Sequence, residues 1–302
     1  MKNKSKILIL FAILLLTGCT KQLKDTNGQV VKHPITGQNL VENIICRPED
    51  PESIKMYEEA GVDLNEYPTC NEFSPFKTKY EGIWTNIFVK PLAWLILKVG
   101  YIVKDYGISL IIITILIRLL LYPLTNSTAM QSENLTKAKP ELDKLEKKYA
   151  GKNDQDSMMK KSQEMMLIYK KYDINPFSSC LFAFLQLPIF FAFLEAVYRV
   201  PAFFEKNFLV FNLGTTPLEG IKAGNYWYII LVVLIILATV FSFKNMNMST
   251  NKEQAKQMKM MTTFMIVFIS FVSFGLPTSI ALYWIVSNGF TVVQNLLLKK
   301  GK

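Results

Sequence analysis

A single charged residue within an apolar run is the first feature that could do chemistry. Arg118 lies in the run 108–124 and is the only lysine or arginine in the five long apolar runs of this 302-residue chain. A charge near the centre of a membrane helix costs at least about 2.5 kcal/mol and indicates a functional site. A structural ion pair is the alternative, but the only acidic residue in these runs is Glu195, at the opposite depth. The pattern favours a water-filled cavity that opens to the cytoplasm.

Other polar side chains could line the same cavity. Thr114 lies one helical turn before Arg118, and Gln186 lies near the middle of the second run, beside Pro188. The last run carries a polar stripe at helical spacing, formed by Trp284, Ser287, Asn288, Thr291, Gln294 and Asn295. Such a face avoids lipid by turning inward. For Asn288, a hydrogen bond between helices explains the residue as well as cavity lining does.

The composition places these residues in a membrane protein. Half of the residues are hydrophobic and the formal net charge is +10, which argues against an ordinary cytosolic enzyme. Segment 83–105 has apolar residues at steps of three and four, interrupted by lysines, as in an interfacial amphipathic helix. The sequence predicts an all-α integral membrane protein whose core, 106–302, has five transmembrane helices of nearly 20 residues each: 108–124, 177–198, 226–243, 260–276 and 278–298.

The N-terminus predicts an address outside the cytoplasmic membrane. Residues 1–18 have lysines, then an apolar run, then small residues directly before Cys19. This order resembles the lipobox of bacterial lipoproteins, in which the cysteine becomes the lipid-modified first residue. A plain signal anchor with an incidental cysteine is the alternative.

Segment 19–82 is expected to form a polar, loop-rich exterior region. An oxidising exterior permits Cys46 and Cys70 to form a disulfide, but two cysteines alone leave the pairing open. His33, the only histidine, is expected to be a solvated loop residue, and no metal site is expected.

The distribution of positive charge predicts the orientation of the spans. Lysines and arginines number ten in 125–175, four in 244–259 and three in 299–302, against three in the connector 199–225. By the positive-inside rule, the first three segments, including the C-terminus, are cytoplasmic. The lipobox predicts the same orientation independently.

A helical hairpin is predicted at 126–175, on the cytoplasmic side. Its first helix has an apolar seam at steps of three and four, and the polar linker 151–156 follows. The seam consists of Leu135, Ala138, Leu142, Leu145 and Tyr149. The methionine-rich second helix favours packing over docking, although a hairpin beneath a membrane bundle suggests a contact in the cytoplasm.

Taken in order, these motifs resemble the YidC/Oxa/Alb family of membrane protein insertases, particularly its lipoprotein-type bacterial members. The resemblance covers roughly three quarters of the chain, from Tyr80 to the C-terminus. It is carried by IIITILIR (111–118), YPL (122–124), QEMM (163–166), YK (169–170), NP (175–176), Cys180, QLPIF (186–190) and LYWIVSN (282–288). The chain departs from the family pattern at 177–179 and 276–279.

The resemblance implies a hydrophilic groove that receives the polar ends of nascent membrane proteins and releases their apolar segments into the lipid bilayer. Arg118 would be its positive charge, and Thr114, Gln186, Trp284 and Asn288 would line it. Spans two and four would form an apolar slide. The resemblance leaves open whether the protein acts alone or beside the Sec translocon, and the short tail 299–302 offers little basic surface for the ribosome.

Two other classes of function fit the sequence less well. A small solute transporter or channel would use Arg118 to bind an anion, but it should show paired broken helices in internal repeats. An enzyme would need a nucleophile with a base, or a metal cluster, and no such constellation is visible. No cofactor and no sequence-specific nucleic acid binding are expected.

Overall fold

The computed structural model describes residues 20–152, 154–175, 178–244 and 252–300. The predicted signal peptide and Cys19 lie outside these ranges. The described chain is mostly helical, as the sequence predicts. Its α-helices are α1 Pro51–Glu59, α2 Lys90–Val103, α3 Tyr106–Leu120, α4 Tyr122–Tyr149, α5 Gln155–Lys171, α6 Ser178–Arg199, α7 Ala202–Glu205, α8 Pro217–Lys222, α9 Tyr228–Lys244, α10 Lys252–Val272 and α11 Thr278–Lys300.

Shorter elements complete the described fold. Two 3₁₀ turns cover Leu64–Glu66 and Pro75–Lys77, and a π-helical turn, Thr85–Val89, leads into α2. Strands β1 Asn207–Phe208 and β2 Phe211–Asn212 pair in antiparallel register.

The chain divides into two compact units built from separate stretches of sequence. The first contains the described parts of Met1–Leu116, Leu187–Ile235 and Val272–Val286. The second contains those of Ile117–Gln186, Ile236–Phe271 and Ser287–Lys302.

The exterior segment has its own small core within the first unit. Asp50 caps α1 by accepting a hydrogen bond from the Ser53 backbone N–H at 2.9 Å. A disulfide joins Cys46 to Cys70. The buried apolar residues of this core are Leu23, Leu40, Val41, Ile44, Tyr57, Leu64 and Phe204.

The expectation that His33 is solvated is wrong. The side chain is only 2% exposed, and its ring stacks on Phe204 at a centroid distance of 6.0 Å. Its Nδ1 accepts a hydrogen bond from the Thr36 backbone at 3.3 Å, and its Nε2 lies 3.4 Å from Ser53 Oγ. The residue is buried because α7 and α1, which follow it in sequence, supply these contacts.

A charge cluster in the first unit is formed by the buried Lys90, Glu195 and Arg199 and by Glu81, whose side chain is 35% exposed. Arg199 Nη1 is 3.1 Å from Glu195 Oε1, and Arg199 Nη2 pairs with Glu81. Lys90 Nζ is 2.8 Å from Glu81 Oε1, and Trp84 Nε1 donates to Glu195 Oε2 at 3.0 Å. The cluster therefore joins the end of the exterior segment to α2 and to the C-terminal end of α6.

Several helices are apolar enough for a bilayer. Within the described residues, Thr85–Val103 and Thr278–Leu297 are long and apolar enough to cross a membrane, and Tyr106–Leu120, Tyr228–Phe243 and Lys259–Val272 are shorter apolar helices. Large apolar side chains on these helices stay exposed, which in water would be a large unprotected hydrophobic surface. A lipid environment removes that cost.

The helices α4 and α5 form a helix pair within the second unit. The pair buries Ala138, Leu142, Leu145 and Tyr149, and it leaves Leu135 half-buried. Lys148 Nζ lies 2.6 Å from Glu164 Oε1, and Lys171 Nζ lies 2.5 Å from Glu141 Oε1. Lys148, near the end of α4, pairs with the interior Glu164 of α5, and the earlier Glu141 of α4 pairs with Lys171 at the end of α5, so the two helices run antiparallel.

The boundary between α3 and α4 differs from the predicted end of the first span. The sequence places that end at Leu124, whereas α3 ends at Leu120 and α4 begins at Tyr122. Pro123 lies in the first turn of α4, where a missing N–H costs no intrahelical hydrogen bond. The proline therefore starts a new helix and shortens α3.

Candidate site around Arg118

Arg118 lies in the last turn of α3 and is 7% exposed. Its Nε donates a hydrogen bond to Ser287 Oγ at 2.9 Å, and its Nη2 donates to Gln186 Oε1 at 2.8 Å. Nη2 also contacts Ser287 Oγ. Three helices, α3, α6 and α11, thus each supply one side chain to the Arg118 site, which we define as Arg118, Gln186 and Ser287.

The chemistry of these contacts follows from the charges of the partners. Neither Gln186 nor Ser287 is charged, so each stabilises the guanidinium through its dipole and leaves the positive charge in place. A hydrogen bond to a charged group contributes roughly 1.5–3 kcal/mol. The site can therefore hold a buried cation and still attract an anionic group, since screening is weak where water is scarce.

A second polar contact lies two helical turns further along the same chain segments. Gln294 Nε2 donates to Thr125 Oγ1 at 3.1 Å, and both side chains are 6% exposed. Thr125, on α4, and Gln294, on α11, follow Arg118 and Ser287 by seven residues each, which along α11 is about 10 Å of helix rise. The polar stripe of α11 thus faces the other helices of its unit at two levels.

The other predicted site residues lie nearby in sequence but belong partly to the first unit. Thr114 is 1% exposed, and its hydroxyl donates to the Leu110 carbonyl of its own helix at 2.6 Å. Trp284 is half-buried, and its ring meets Phe190 edge-to-face at 5.5 Å. Asn288 is half-buried in the second unit.

Sequence reasoning missed two residues of this arrangement. Ser287 belongs to the polar stripe of the last apolar run, but the predicted lining of the cavity includes Asn288 and not Ser287. Thr125 follows the first apolar run and enters the sequence analysis only as the first residue of the lysine-rich segment 125–175. The seven-residue spacing from Arg118 to Thr125, matched by that from Ser287 to Gln294, is the signal that could have found both.

The described residues contain no candidate metal-binding site. Within them, no group of three or more His, Cys, Asp or Glu side chains could hold a metal ion. Cys180 has no described side chain.

Apolar helices with exposed hydrophobic faces and a buried arginine among polar side chains define a helical membrane protein. A family model described as 60Kd inner membrane protein matches residues 98–302. The chain is 34% identical over 241 residues to the membrane protein insertase YidC of Oceanobacillus iheyensis, covering 76% of this chain and 90% of that protein. It is 36% identical over 226 residues to the membrane protein insertase MisCA of Bacillus subtilis, covering 74% and 82%.

Comparison with solved structures gives the same result for the fold. A crystal structure of an active YidC insertase, with its first transmembrane domain resolved, matches 82% of this chain at 24% identity and a TM-score of 0.51. This chain spans about half of that protein, 51% of its length. The chain belongs to the YidC/Oxa family of membrane protein insertases, and the resemblance seen in the sequence is confirmed.

Proposed function

We propose that this protein inserts nascent membrane proteins by receiving their polar ends at the Arg118 site. The observation that carries the proposal is a guanidinium that is 7% exposed and held by two neutral side chains. Such a cation attracts carboxylates, because its charge is not cancelled by Gln186 or Ser287. Moving an acidic client segment into the site therefore costs less free energy than moving it into lipid directly.

Apolar helix surfaces would guide the rest of the client into the bilayer. On α6, Leu187 and Phe191 are exposed, and on α10 Phe264, Phe268 and Phe271 are exposed. These helices correspond to the predicted spans two and four. Transfer of the client's apolar segment into lipid contributes roughly 25 cal/mol per Å² of buried apolar surface, and the membrane potential acts on its charged ends.

The proposal includes a topology. The signal peptide 1–18 is removed, Cys19 is lipidated outside the cell membrane, and five spans place the segment 126–175 and the C-terminus in the cytoplasm. The excess of lysine in the cytoplasmic segments supports this orientation. Mass spectrometry of the mature N-terminus tests the lipid, and an unmodified chain that begins at Met1 would refute it.

The charge of Arg118 is tested with paired clients that differ only in acidic residues of the translocated end. Arg118→Lys should retain much of the insertion, because it keeps the charge. Arg118→Ala should fail selectively on the acidic clients. Protease protection of the translocated end measures both.

The matched control is Lys160→Ala, which removes one positive charge from an exposed position on α5. It should leave insertion of both clients unchanged. If Arg118→Ala inserts acidic clients at the wild-type level, the charged-groove mechanism is wrong. Equal loss of acidic and neutral clients would instead indicate a structural role for the arginine.

A further inference from the structure

A two-residue hairpin tip in the first unit exposes apolar side chains. Leu209 and Val210 join β1 to β2, and they are 78% and 54% exposed. Leu209 has a φ of +54°, a backbone region in which glycine or asparagine is usual and a leucine is disfavoured. Exposed apolar side chains on a disfavoured backbone do not stabilise the protein in water. The tip is therefore expected to contact an apolar partner.

Aromatic side chains of β1 and β2 pack against the rest of the first unit and hold the hairpin tip in place. The Phe208 ring fills the space next to Gly107, where a side chain would not fit. Phe211 is 7% exposed and meets the Tyr228 ring edge-to-face at 5.1 Å. The Tyr228 hydroxyl also accepts a hydrogen bond from the Asn212 backbone at 3.0 Å. The β-strands therefore present Leu209 and Val210 in a fixed position.

An open cleft of about 660 Å³ lies beside the tip. Tyr226 and Trp227 line it and are 67% and 60% exposed. Asn225 closes one side: its Nδ2 donates to the Val210 carbonyl at 3.4 Å, and its Oδ1 accepts from the Trp227 backbone at 3.2 Å. The remaining lining residues are Val210, Ala223, Gly224 and Ile230.

The cleft is continuous with an exposed apolar face of α9. Ile230 belongs to both, and Val233 and Leu234 continue the face along the helix, each more than 40% exposed. Tyrosine and tryptophan are enriched where a membrane helix meets the lipid headgroups. The order along the chain is thus an apolar tip, an aromatic pair and an apolar helix face.

The charges of the connector indicate which kind of membrane contact the hairpin tip makes. The two lysines of the connector are paired, because Lys206 Nζ lies 3.1 Å from Glu49 Oε2 and Lys222 Nζ lies 2.8 Å from Glu219 Oε1. Attraction to anionic headgroups is therefore weak here, and burial of apolar surface is the remaining source of binding.

We propose that Leu209 and Val210, beside the cleft lined by Trp227, insert into the outer leaflet of the bilayer. The proposal rests on the orientation of α9 as a membrane span with its N-terminal end outside. It gives the connector between α6 and α9 a lipid-binding role separate from the Arg118 site.

Fluorescence quenching tests the proposal on the full chain in vesicles. A Cys180→Ser background carries Val210→Cys or Leu209→Cys, labelled with an environment-sensitive dye. The vesicles contain phosphatidylcholine and a fraction of lipid with a nitroxide on the acyl chain near the glycerol. The label at Val210 should be quenched severalfold more than a label at Asn27→Cys, on an exposed turn of the exterior segment.

A label at Val233→Cys on α9 serves as the membrane reference. If Val233 is quenched and Val210 is quenched no more than Asn27, the tip proposal is wrong while the span stands. If Val233 also stays unquenched, α9 does not lie in the bilayer and the tip proposal fails with it. Neither result depends on insertion activity, so failure of the Arg118 mechanism is measured separately.

Two further experiments identify what covers the hairpin tip. Addition of phosphatidylglycerol should leave the quenching at Val210 unchanged, and a strong increase would indicate headgroup attraction and overturn insertion by apolar burial. Dilution of the protein in lipid should also change nothing. A label at Val210 that responds to protein density but not to nitroxide would show that a second copy covers the tip.

Discussion

Arg118 and Arg199 are both buried, but their surroundings differ. Arg199 is 1% exposed, pairs with the carboxylates of Glu195 and Glu81, and donates from Nε to the Asn43 carbonyl at 2.6 Å. Arg118 is 7% exposed and donates to the neutral Gln186 and Ser287. The partners of Arg199 thus include two carboxylates, whereas those of Arg118 include two neutral side chains.

The difference separates a structural role from a functional one. Two charges that neutralise each other in a protein interior depend strongly on each other, since removal of one leaves the other buried and uncompensated. Neutral partners lose only hydrogen bonds when the cation is removed. The first unit, with its charge cluster and disulfide, should therefore respond to mutation through stability, and the Arg118 site through activity.

The largest effect on stability is expected for Arg199→Ala. The change leaves Glu195, which is 5% exposed, without its cationic partner, and should lower the free energy of unfolding by about 3–5 kcal/mol. Thermal unfolding in detergent measures the loss. Adding Glu195→Gln should restore part of it, and a wild-type melting temperature for Arg199→Ala would show that the cluster does not hold the first unit together.

The disulfide comes next in expected size. Cys46 and Cys70 are 24 residues apart in sequence, so loss of the bond by Cys46→Ser with Cys70→Ser should cost about 3 kcal/mol through chain entropy. Denaturant unfolding of the full chain measures this. In the wild-type protein both thiols should resist alkylation until a reductant is added, and equal labelling without reductant would contradict the bridge.

Arg118→Ala should destabilise the protein less than either change, by about 1–2 kcal/mol. Gln186 and Ser287 each lose a hydrogen bond but carry no charge that would be left behind. The melting temperature should fall less than that of Arg199→Ala, even though insertion of acidic clients is lost. A larger fall than for Arg199→Ala would reverse the comparison and make Arg118 a structural residue.

The smallest effect concerns pH and His33. Burial lowers the pKa of His33 below its ordinary value, against the opposing influence of Asp50 and Glu52. The unfolded chain then binds a proton before the folded one, so stability falls as pH drops below about 6.5, by at most about 1.4 kcal/mol per pH unit. In His33→Gln, the free energy of unfolding should no longer fall through this residue between pH 7 and pH 5. An unchanged slope would assign it to carboxylates.

Sequence reasoning reached the features that depend on local periodicity. The apolar seam of α4 is buried at Ala138, Leu142 and Leu145, because side chains three and four residues apart share one helix face. Hydropathy and a lone arginine likewise located Arg118. These predictions need no knowledge of which helices are neighbours.

The sequence alone did not predict the long-range contacts. Glu195 was considered only as a partner for Arg118, although Arg199 lies one turn away and Glu81 completes the cluster from 118 residues earlier. The burial of His33 depends on α7, more than 160 residues later in the chain. No periodicity reports which distant segments meet, so these contacts required the structure.

The antiparallel helix pair has a consequence for the order of events during synthesis. Its contacts join residues close in sequence, such as Lys148 and Glu164, 16 positions apart, so it closes within microseconds to milliseconds. Translation adds only about 5–20 residues per second. In the proposed topology, the pair is therefore complete in the cytoplasm before α6 has left the ribosome. If that topology holds, moving a folded, lysine-rich helix pair back through the bilayer would be costly, so the pair would fix the direction of the first span.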